Sequence, residues 1–410
     1  MSCWCHKGKG SLAVLVMSAF SLSSVKAAEF YFQPQAEVGV EADSNRNMVA
    51  SGDFVDKRGA SEGYSGDAIG IWGIATPLTD TTIRPEVSYA DYPRVDTNDL
   101  RTVLDLNSQA HSQRGQGGIE GRFDRESTTS SELANPQFNP VNPDLPTTPE
   151  TGRVRFDTTR TLFTVVPHYN YDLSQRLSLG VIGTYQVVDY SGTNAAAYIP
   201  YSYYLGGADL GWKFSPRFSV TLGTFASHEE AHNGSGSVNA NGGKIGFDYQ
   251  WSTKFSSHLE LTGERDDTHI FKPTAYTTGS DGFGATYSTT WTGQVSKVQL
   301  SVGRTYTPSG SGGTFRADQG QIEYSRDLTQ RLTVGAAARV INETSVSQVY
   351  LNGNYNYVNF ETRIKWKLTP TWYVTGGLQY LRAHYQPPVG SAANNSVYIS
   401  VGYLGLGKPY

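Results

Sequence analysis

One turn recurs along this chain and constrains its fold more than any other feature. An apolar residue is followed by Ser or Thr, then by one or two polar or Pro positions, then by an apolar restart. It is read at Leu173-Ser174-Gln175-Arg176-Leu177, Phe214-Ser215-Pro216-Arg217-Phe218, Trp251-Ser252-Thr253-Lys254-Phe255, Leu328-Thr329-Gln330-Arg331-Leu332 and Leu368-Thr369-Pro370-Thr371-Trp372. Leu78-Thr79-Asp80-Thr81 is a looser sixth instance. The later instances recur at roughly 40 residues or a multiple of it, about two ~10-residue strands with one tight and one long connection. That is the rhythm of an outer-membrane β-barrel.

Period-2 alternation marks eighteen strands, at about 33–43, 67–76, 81–91, 99–110, 115–126, 156–171, 176–189, 201–213, 217–228, 242–251, 255–266, 284–292, 296–306, 314–327, 331–342, 355–367, 372–383 and 396–405. An even number matches bacterial single-chain barrels. The connections sort into two classes. After even strands they are brief, as at 77–80, 214–216 and 368–371. After odd strands they are mostly longer and polar: 44–66, 92–98, 127–155, 190–200, 229–241, 267–283, 307–313, 343–354 and 384–395. The expected fold is all-β, a closed antiparallel transmembrane β-barrel of about 18 strands with short periplasmic turns and longer extracellular loops.

The first 27 residues are expected to be a signal peptide that is removed. Lys7 and Lys9 precede an apolar run from Leu12 to Leu22, and Val25-Lys26-Ala27 approximates a small-x-small cleavage pattern. Both cysteines, Cys3 and Cys5, leave with it, so disulfides hold nothing together in the remainder. Loss of Lys7, Lys9 and Lys26 takes the formal charge from −4 to −7, which argues against nucleic acid as a partner. No apolar run approaches the ~20 residues of a membrane helix, and the mean hydropathy is −0.41. Neither argues against a barrel, where only alternate residues face lipid. A soluble β-protein of this size would divide into domains with linkers. The strand rhythm here is unbroken, and residues 28–410 are expected to form a single outer-membrane barrel domain.

Strand by strand, the alternation assigns faces. In segment 355–367, Val358, Phe360, Thr362, Ile364 and Trp366 share one face and Asn359, Glu361, Arg363, Lys365 and Lys367 the other. Ile83, Pro85, Val87 and Tyr89 oppose Arg84, Glu86 and Ser88, and Val298, Leu300 and Val302 oppose Gln299, Ser301 and Gly303. A basic residue facing hydrocarbon costs about 2–4 kcal/mol at the midplane, so the charged faces are expected inside. The pore-lining candidates are Arg84, Glu86, Arg101, Asp105, Glu120, Arg122, Asp124, Glu260, Glu264, Glu323, Arg339, Glu361, Arg363 and Lys365. Both signs are interspersed. Such a wall orients water and polar solutes without strong preference for one ion sign, or braces the barrel by cross-strand pairing, and the two roles are compatible. Pro85 predicts a bulge or a lost ladder bond. Trp72, Trp212, Trp251, Trp291, Trp366 and Trp372 gather near the short turns, as an interfacial girdle requires. Eighteen strands leave room for an aqueous channel. Loop 127–155 carries Pro136, Pro140, Pro143, Pro146 and Pro149 and is compatible with an inward constriction or an outward lid.

No enzyme signature, cofactor site or metal constellation is expected. His228 and His232 lie four apart, but at a strand end running into a Gly/Ser/Asn loop. Asp266, Asp267 and His269 could be read as a catalytic rim, yet no nucleophile accompanies them.

With strands and turns in place, three loose motifs carry a resemblance. They are Gln33-Pro34-Gln35-Ala36-Glu37-Val38-Gly39-Val40-Glu41 with Asp43-Ser44-Asn45, then Tyr89-Ala90-Asp91-Tyr92, then Ser391-Ala392-Ala393-Asn394-Asn395-Ser396-Val397-Tyr398. Over most of the mature length the chain resembles the outer-membrane β-barrel porins found with bacterial exopolysaccharide and exosortase systems. It departs from many barrels at its end, where Gly405-Leu406-Gly407-Lys408-Pro409 separates the last strand from Tyr410. The resemblance implies an export-associated pore in the bacterial outer membrane. The expected function is a passive conduit for polar solutes, saccharide or exported polysaccharide. The alternatives are a general diffusion porin and a surface adhesion barrel whose function lies in its loops. Expected partners are outer-membrane lipid and lipopolysaccharide and a polysaccharide export complex. Oligomeric state is left open.

Overall fold

The computed structural model describes residues 28–50, 59–132, 157–271, 275–310, 313–346, 355–385 and 390–409. The expected leader and the five prolines of loop 127–155 lie outside the described residues.

The strands are β1 (Glu29–Asp43), β2 (Ser61–Ala75), β3 (Thr79–Tyr92), β4 (Thr97–His111), β5 (Gly115–Ser127), β6 (Thr158–Asp172), β7 (Leu177–Gly192), β8 (Tyr201–Ser215) and β9 (Phe218–Ala231). They continue as β10 (Gly236–Ser252), β11 (Phe255–Ile270), β12 (Tyr276–Thr292), β13 (Ser296–Ser309), β14 (Gly313–Asp327), β15 (Leu332–Ser345), β16 (Tyr355–Lys367), β17 (Trp372–Tyr385) and β18 (Ser391–Leu404). Each pairs antiparallel with its chain neighbours. β18 returns to β1 from Gln35↔Leu404 to Asp43↔Ser396 and closes the ring. The unusual chain end completes the seam: Gly405 N–H donates to the Pro34 carbonyl at 2.7 Å, and β19 (Lys408–Pro409) pairs with Tyr31 and Phe32. All eighteen expected strands are present in the expected order.

The turns explain themselves. In each, a Ser or Thr hydroxyl accepts the amides that restart the next strand, a local substitute for ladder bonds. Ser174 Oγ takes Arg176 and Leu177 N–H at 3.2 and 3.0 Å, and Thr329 Oγ1 takes Arg331 and Leu332 at the same distances. The sixth instance is out by three residues. Thr76 Oγ1, not Thr79, accepts Leu78 and Thr79 N–H at 3.3 and 2.9 Å, and Thr79 already belongs to β3. A further turn, Ser112-Gln113-Arg114, repeats the Ser-Gln-Arg of 174–176 but lacks apolar flanks.

The faces fall as the alternation requires. Trp366 and Ile364 are each 54% exposed, whereas Asn359 is 0% and Glu361 6% exposed. All six tryptophans near the short turns are exposed on the outside. Two of their rings join one chain of aromatic contacts, from Trp212 on Phe214 at 4.8 Å to Trp251 on Phe255 at 6.2 Å, and Trp72 stacks separately on Phe32 at 4.9 Å. Pro85 loses ladder without a bulge. The β2–β3 register passes from Ile69↔Glu86 to Trp72↔Ile83 with two rungs missing and no shift. Pro167 does the same to β6–β7, between Val165↔Tyr185 and His168↔Ile182. A proline removes one donor, and the unshifted register on either side of each gap leaves no slack to absorb an extra residue.

The loop sorting is weaker than the sequence suggests. The connections expected at 229–241 and 267–283 shrink to 232–235 and 271–275, because β10 begins at Gly236 and β12 at Tyr276. Beyond the lipid the outer strand ends are solvated on both faces, so they pair without any apolar alternation to betray them.

Candidate functional site: the inner wall and the outer mouth

Inner-face charges on β3 to β6 form a closed lattice. Arg84 lies 2.6 Å from Glu86 and 3.3 Å from Asp105, and Arg122 lies 3.5 Å from Asp105 and 2.9 Å from Asp124. Arg101 reaches Glu86 at 3.3 Å, Asp124 at 3.7 Å and Glu126 at 3.2 Å, and Arg160 meets Glu126 at 2.8 Å. Four guanidiniums thus face four carboxylates, and the formal charges cancel. Adjacent strands place these opposite charges side by side: Arg84 pairs with Asp105, Asp105 with Arg122, and Glu126 with Arg160. A lattice of this kind stiffens the wall and offers local dipoles without net sign.

Across the seam the inner wall is acidic, and tyrosines take the place of arginines. Tyr92 donates to Glu41 at 2.8 Å, Tyr373 to Glu37 at 2.8 Å and Tyr398 to Glu361 at 2.7 Å, while Ser400 also donates to Glu37. Tyr373 and Tyr398 lie over their cross-strand partners Gly402 and Gly377, where a Cβ would overlap the ring. The three glutamates, Tyr398, Ser400 and Asp67 line a cavity of about 340 Å³ with Arg46, Gln379 and Ser65. Burial opposes the Arg46 charge, but Tyr92, Glu41, Asp43 and Asp99 together hold its pKa above the ordinary value. Its guanidinium stands 4.5 Å from the Tyr92 ring centre.

The remaining candidates are distributed around the ring. Arg363 donates to Glu323 at 2.6 Å, Lys365 Nζ lies 3.6 Å from the Tyr373 ring centre, and Arg339, 3% exposed, donates to Gln319 at 3.2 Å. Glu260 lies 3.8 Å from Lys244, which also meets Asp209 at 3.2 Å. Glu120 sits on β5 beside the lattice, and Glu264 on β11 opposite Gly242. Arg160, Glu126, Glu37, Glu41, Asp67 and Lys244 were not among the sequence candidates. Their position in the strand alternation was the available signal.

Neither alternative cluster assembles. His228 bonds Asn239 at 2.7 Å and His232 bonds Ser202 at 2.7 Å, so the two rings turn to different partners. Asp266 is buried on the inner face of β11, which alternation denies to Asp267 and His269.

The outer mouth is narrowed from within. Residues 44–50, expected as part of a polar extracellular loop, turn inward as a strap. Asn394 accepts from Asn45 N–H at 2.8 Å and donates to Asp43 at 2.5 Å, while Asn45 bonds Val49 through both side-chain atoms at 3.1 and 3.2 Å. Met48 takes φ +48°, the left-handed conformation that tightens the turn. Met48 and Ala50 then pack on Ile341, Tyr355, Tyr357, Leu381, Ala383 and Ala392 inside the ring. The three sequence motifs meet here, Asp43-Ser44-Asn45 against Asn394-Asn395, with Tyr92 stacked on Arg46. A short helix, α1 (Thr128–Glu132), follows β5 and is buried. Its Glu132 carbonyl accepts from Tyr355 of β16 at 3.3 Å, so this segment of loop 127–155 crosses the mouth. A second crossing joins Ile199 N–H to the Gly310 carbonyl at 2.6 Å.

No known protein family matches the sequence, and no curated protein is recognisably similar. Among solved structures, OccAB4 of Acinetobacter baumannii is 9% identical, with 93% of this chain and 98% of that one covered, at a TM-score of 0.42. The outer membrane protein OpdK of Pseudomonas aeruginosa is 8% identical over 92% and 99%, at 0.42. OccAB3 of Acinetobacter baumannii is 9% identical over 92% and 99%, at 0.44. Likeness of this size carries nothing about substrate. The fold rests on the closed ladder itself, and the location on the exposed apolar band between aromatic rings. This is an outer-membrane β-barrel.

Proposed function

We propose that the protein is a pore, a passive conduit through which polar solutes diffuse along the inner wall, with the strap and α1 setting the width of the outer mouth. One observation carries this reading: eighteen strands close around a wall built from paired charges, tyrosine hydroxyls and amides. A ring of that size encloses more space than its side chains fill. Saccharides suit such a wall, since each hydroxyl exchanges one hydrogen-bond partner for the next as it moves. Exported polysaccharide is the extended form of the same cargo. The cancelled lattice on β3 to β6 also favours a second reading, a general diffusion porin with little preference for ion sign.

The experiment is charge reversal. Arg363→Glu with Lys365→Glu puts four charges of difference on one stretch of the inner wall. In planar bilayers under a salt gradient, the reversal potential is expected to move toward cation preference, with conductance steps retained. An unchanged reversal potential in a conducting variant removes this stretch of wall from the pathway.

A further inference from the structure

The recurring turn has a second property that its hydrogen bonding leaves unused. Each short turn, hydroxyl-capped or not, places one carbonyl just before the strand restart, where it accepts an amide from the strand beyond. Arg114 accepts from Asp172, Arg176 from Lys213, Arg217 from Gln250, Lys254 from Thr292 and Arg331 from Lys367. Each of these residues is therefore held at an equivalent point of the periplasmic rim. The remaining equivalent points are Leu78, Val295 and Thr371, which accept from His111, Asp327 and Leu404. No equivalent point is acidic. All five basic side chains are exposed, and none makes an ion pair among the described residues.

The same rim also carries acids, Asp80 and Asp172 exposed among them, but none of the described ones is in an ion pair with these five. Asp248 is turned to Ser219 at 3.1 Å and His258 at 2.7 Å, and Asp327 to Thr333 at 2.6 Å. The place of that carbonyl in the ladder does not need a cation, as Val295 and Thr371 show. A second observation lies just inside the rim. A cavity of about 360 Å³ is lined by Lys213, Arg217, Gln250 and the Asp248–His258 pair among serine and threonine hydroxyls of β9, β11 and β12. Its one carboxylate, Asp248, is engaged by Ser219 and His258, which leaves two cations without an ion pair beside hydroxyls and an amide, a match for a ligand that carries both carboxylates and hydroxyls.

We infer that the periplasmic rim is a cationic collar that captures acidic saccharide chains and feeds them to the barrel through the cavity at Lys213 and Arg217. The inference deepens the pore reading and rests on it for the onward path, though capture itself does not need conduction. The turn arginines supply long-range attraction, and the cavity supplies the first specific contacts. Like-signed charges at one mouth raise the local concentration of an oppositely charged solute and its on-rate by about 10 to 1,000-fold at low salt. The effect fades as the screening length falls below about 10 Å.

The test uses the refolded full barrel and a variant in which Arg114, Arg176, Arg217, Lys254 and Arg331 are all replaced by Gln. Oligogalacturonate is the acidic probe and maltohexaose the neutral one, each applied separately to the two sides of a bilayer. Wild-type pores are expected to show oligogalacturonate block at least ~10-fold more frequent from one side, the asymmetry disappearing in the variant or at high salt. Maltohexaose block is expected to be equal in the two proteins. Equal oligogalacturonate block from both sides of the wild type overturns the collar, and so does a variant that keeps the asymmetry.

Binding of fluorescent oligogalacturonate to the detergent-solubilised barrel separates the two claims. Silent protein that binds the probe, and loses it in the variant, retains the collar while the pore reading fails. Absence of binding in the wild type overturns the collar whether or not the protein conducts.

Discussion

At the residue scale, the lattice on β3 to β6 is held by charges that cannot be removed singly without cost. Arg160 is one of two partners of Glu126, and both side chains are largely buried, at 7% and 8% exposure. Arg160→Met leaves Glu126 to Arg101 alone, at 3.2 Å. Breaking a buried pair costs about 3–5 kcal/mol, and the surviving partner brings the expected loss to about 2 kcal/mol. Arg160→Met with Glu126→Leu is expected to recover most of it, since apolar replacement of both partners is often neutral. Urea midpoints of the two variants in liposomes check this, and equal midpoints would show that the pair does not brace the wall. Much of the wall was legible at this scale, because alternation alone assigns Arg84, Asp105 and Arg363 to one face. The partners were not legible. Nothing in the residues near Glu41 or Glu361 announces that a tyrosine from another strand, rather than an arginine, will satisfy each carboxylate.

At the element scale, strand order and turn chemistry are local, and local pattern reveals them. Strand length is not. The stretches 236–241 and 276–283 have no alternation to display, yet they extend β10 and β12. The β12–β13 ladder is the exception that pairing left short: it runs from Ala285↔Arg304 to Thr292↔Lys297, while β11–β12 continues to Ile270↔Tyr276 and β13–β14 to Ser309↔Gly313. The outer halves of β12 and β13 therefore each hold one unpaired edge. Amides on those edges are expected to exchange at least ~100-fold faster than the paired amides of β11, because no cross-strand acceptor protects them. Hydrogen exchange by NMR or mass spectrometry in micelles reads this directly. Uniform protection along Tyr276–Thr292 would mean that the two strands pair to the rim.

At the scale of the whole molecule, closure, strand number and the apolar outer face follow from a repeated unit, so a single sequence sufficed to expect them. The furnishing of the mouth does not repeat. The strap joins residues about 350 positions apart, through Asn45 and Asn394, and α1 meets β16 across the opening. Three consecutive apolar residues, Met48-Val49-Ala50, in an otherwise polar loop were the one trace of it, since only the barrel interior could bury them. These crossings narrow the mouth, and a pore requires that they leave a path for solute.

The most direct measurement of that claim is single-channel conductance of residues 28–410 refolded in detergent and inserted into planar bilayers, with and without neutral oligosaccharide. Stable steps are expected, interrupted reversibly when oligosaccharide enters. Protein that is fully folded by its heat-dependent gel mobility, yet electrically silent at every voltage tried, would contradict it.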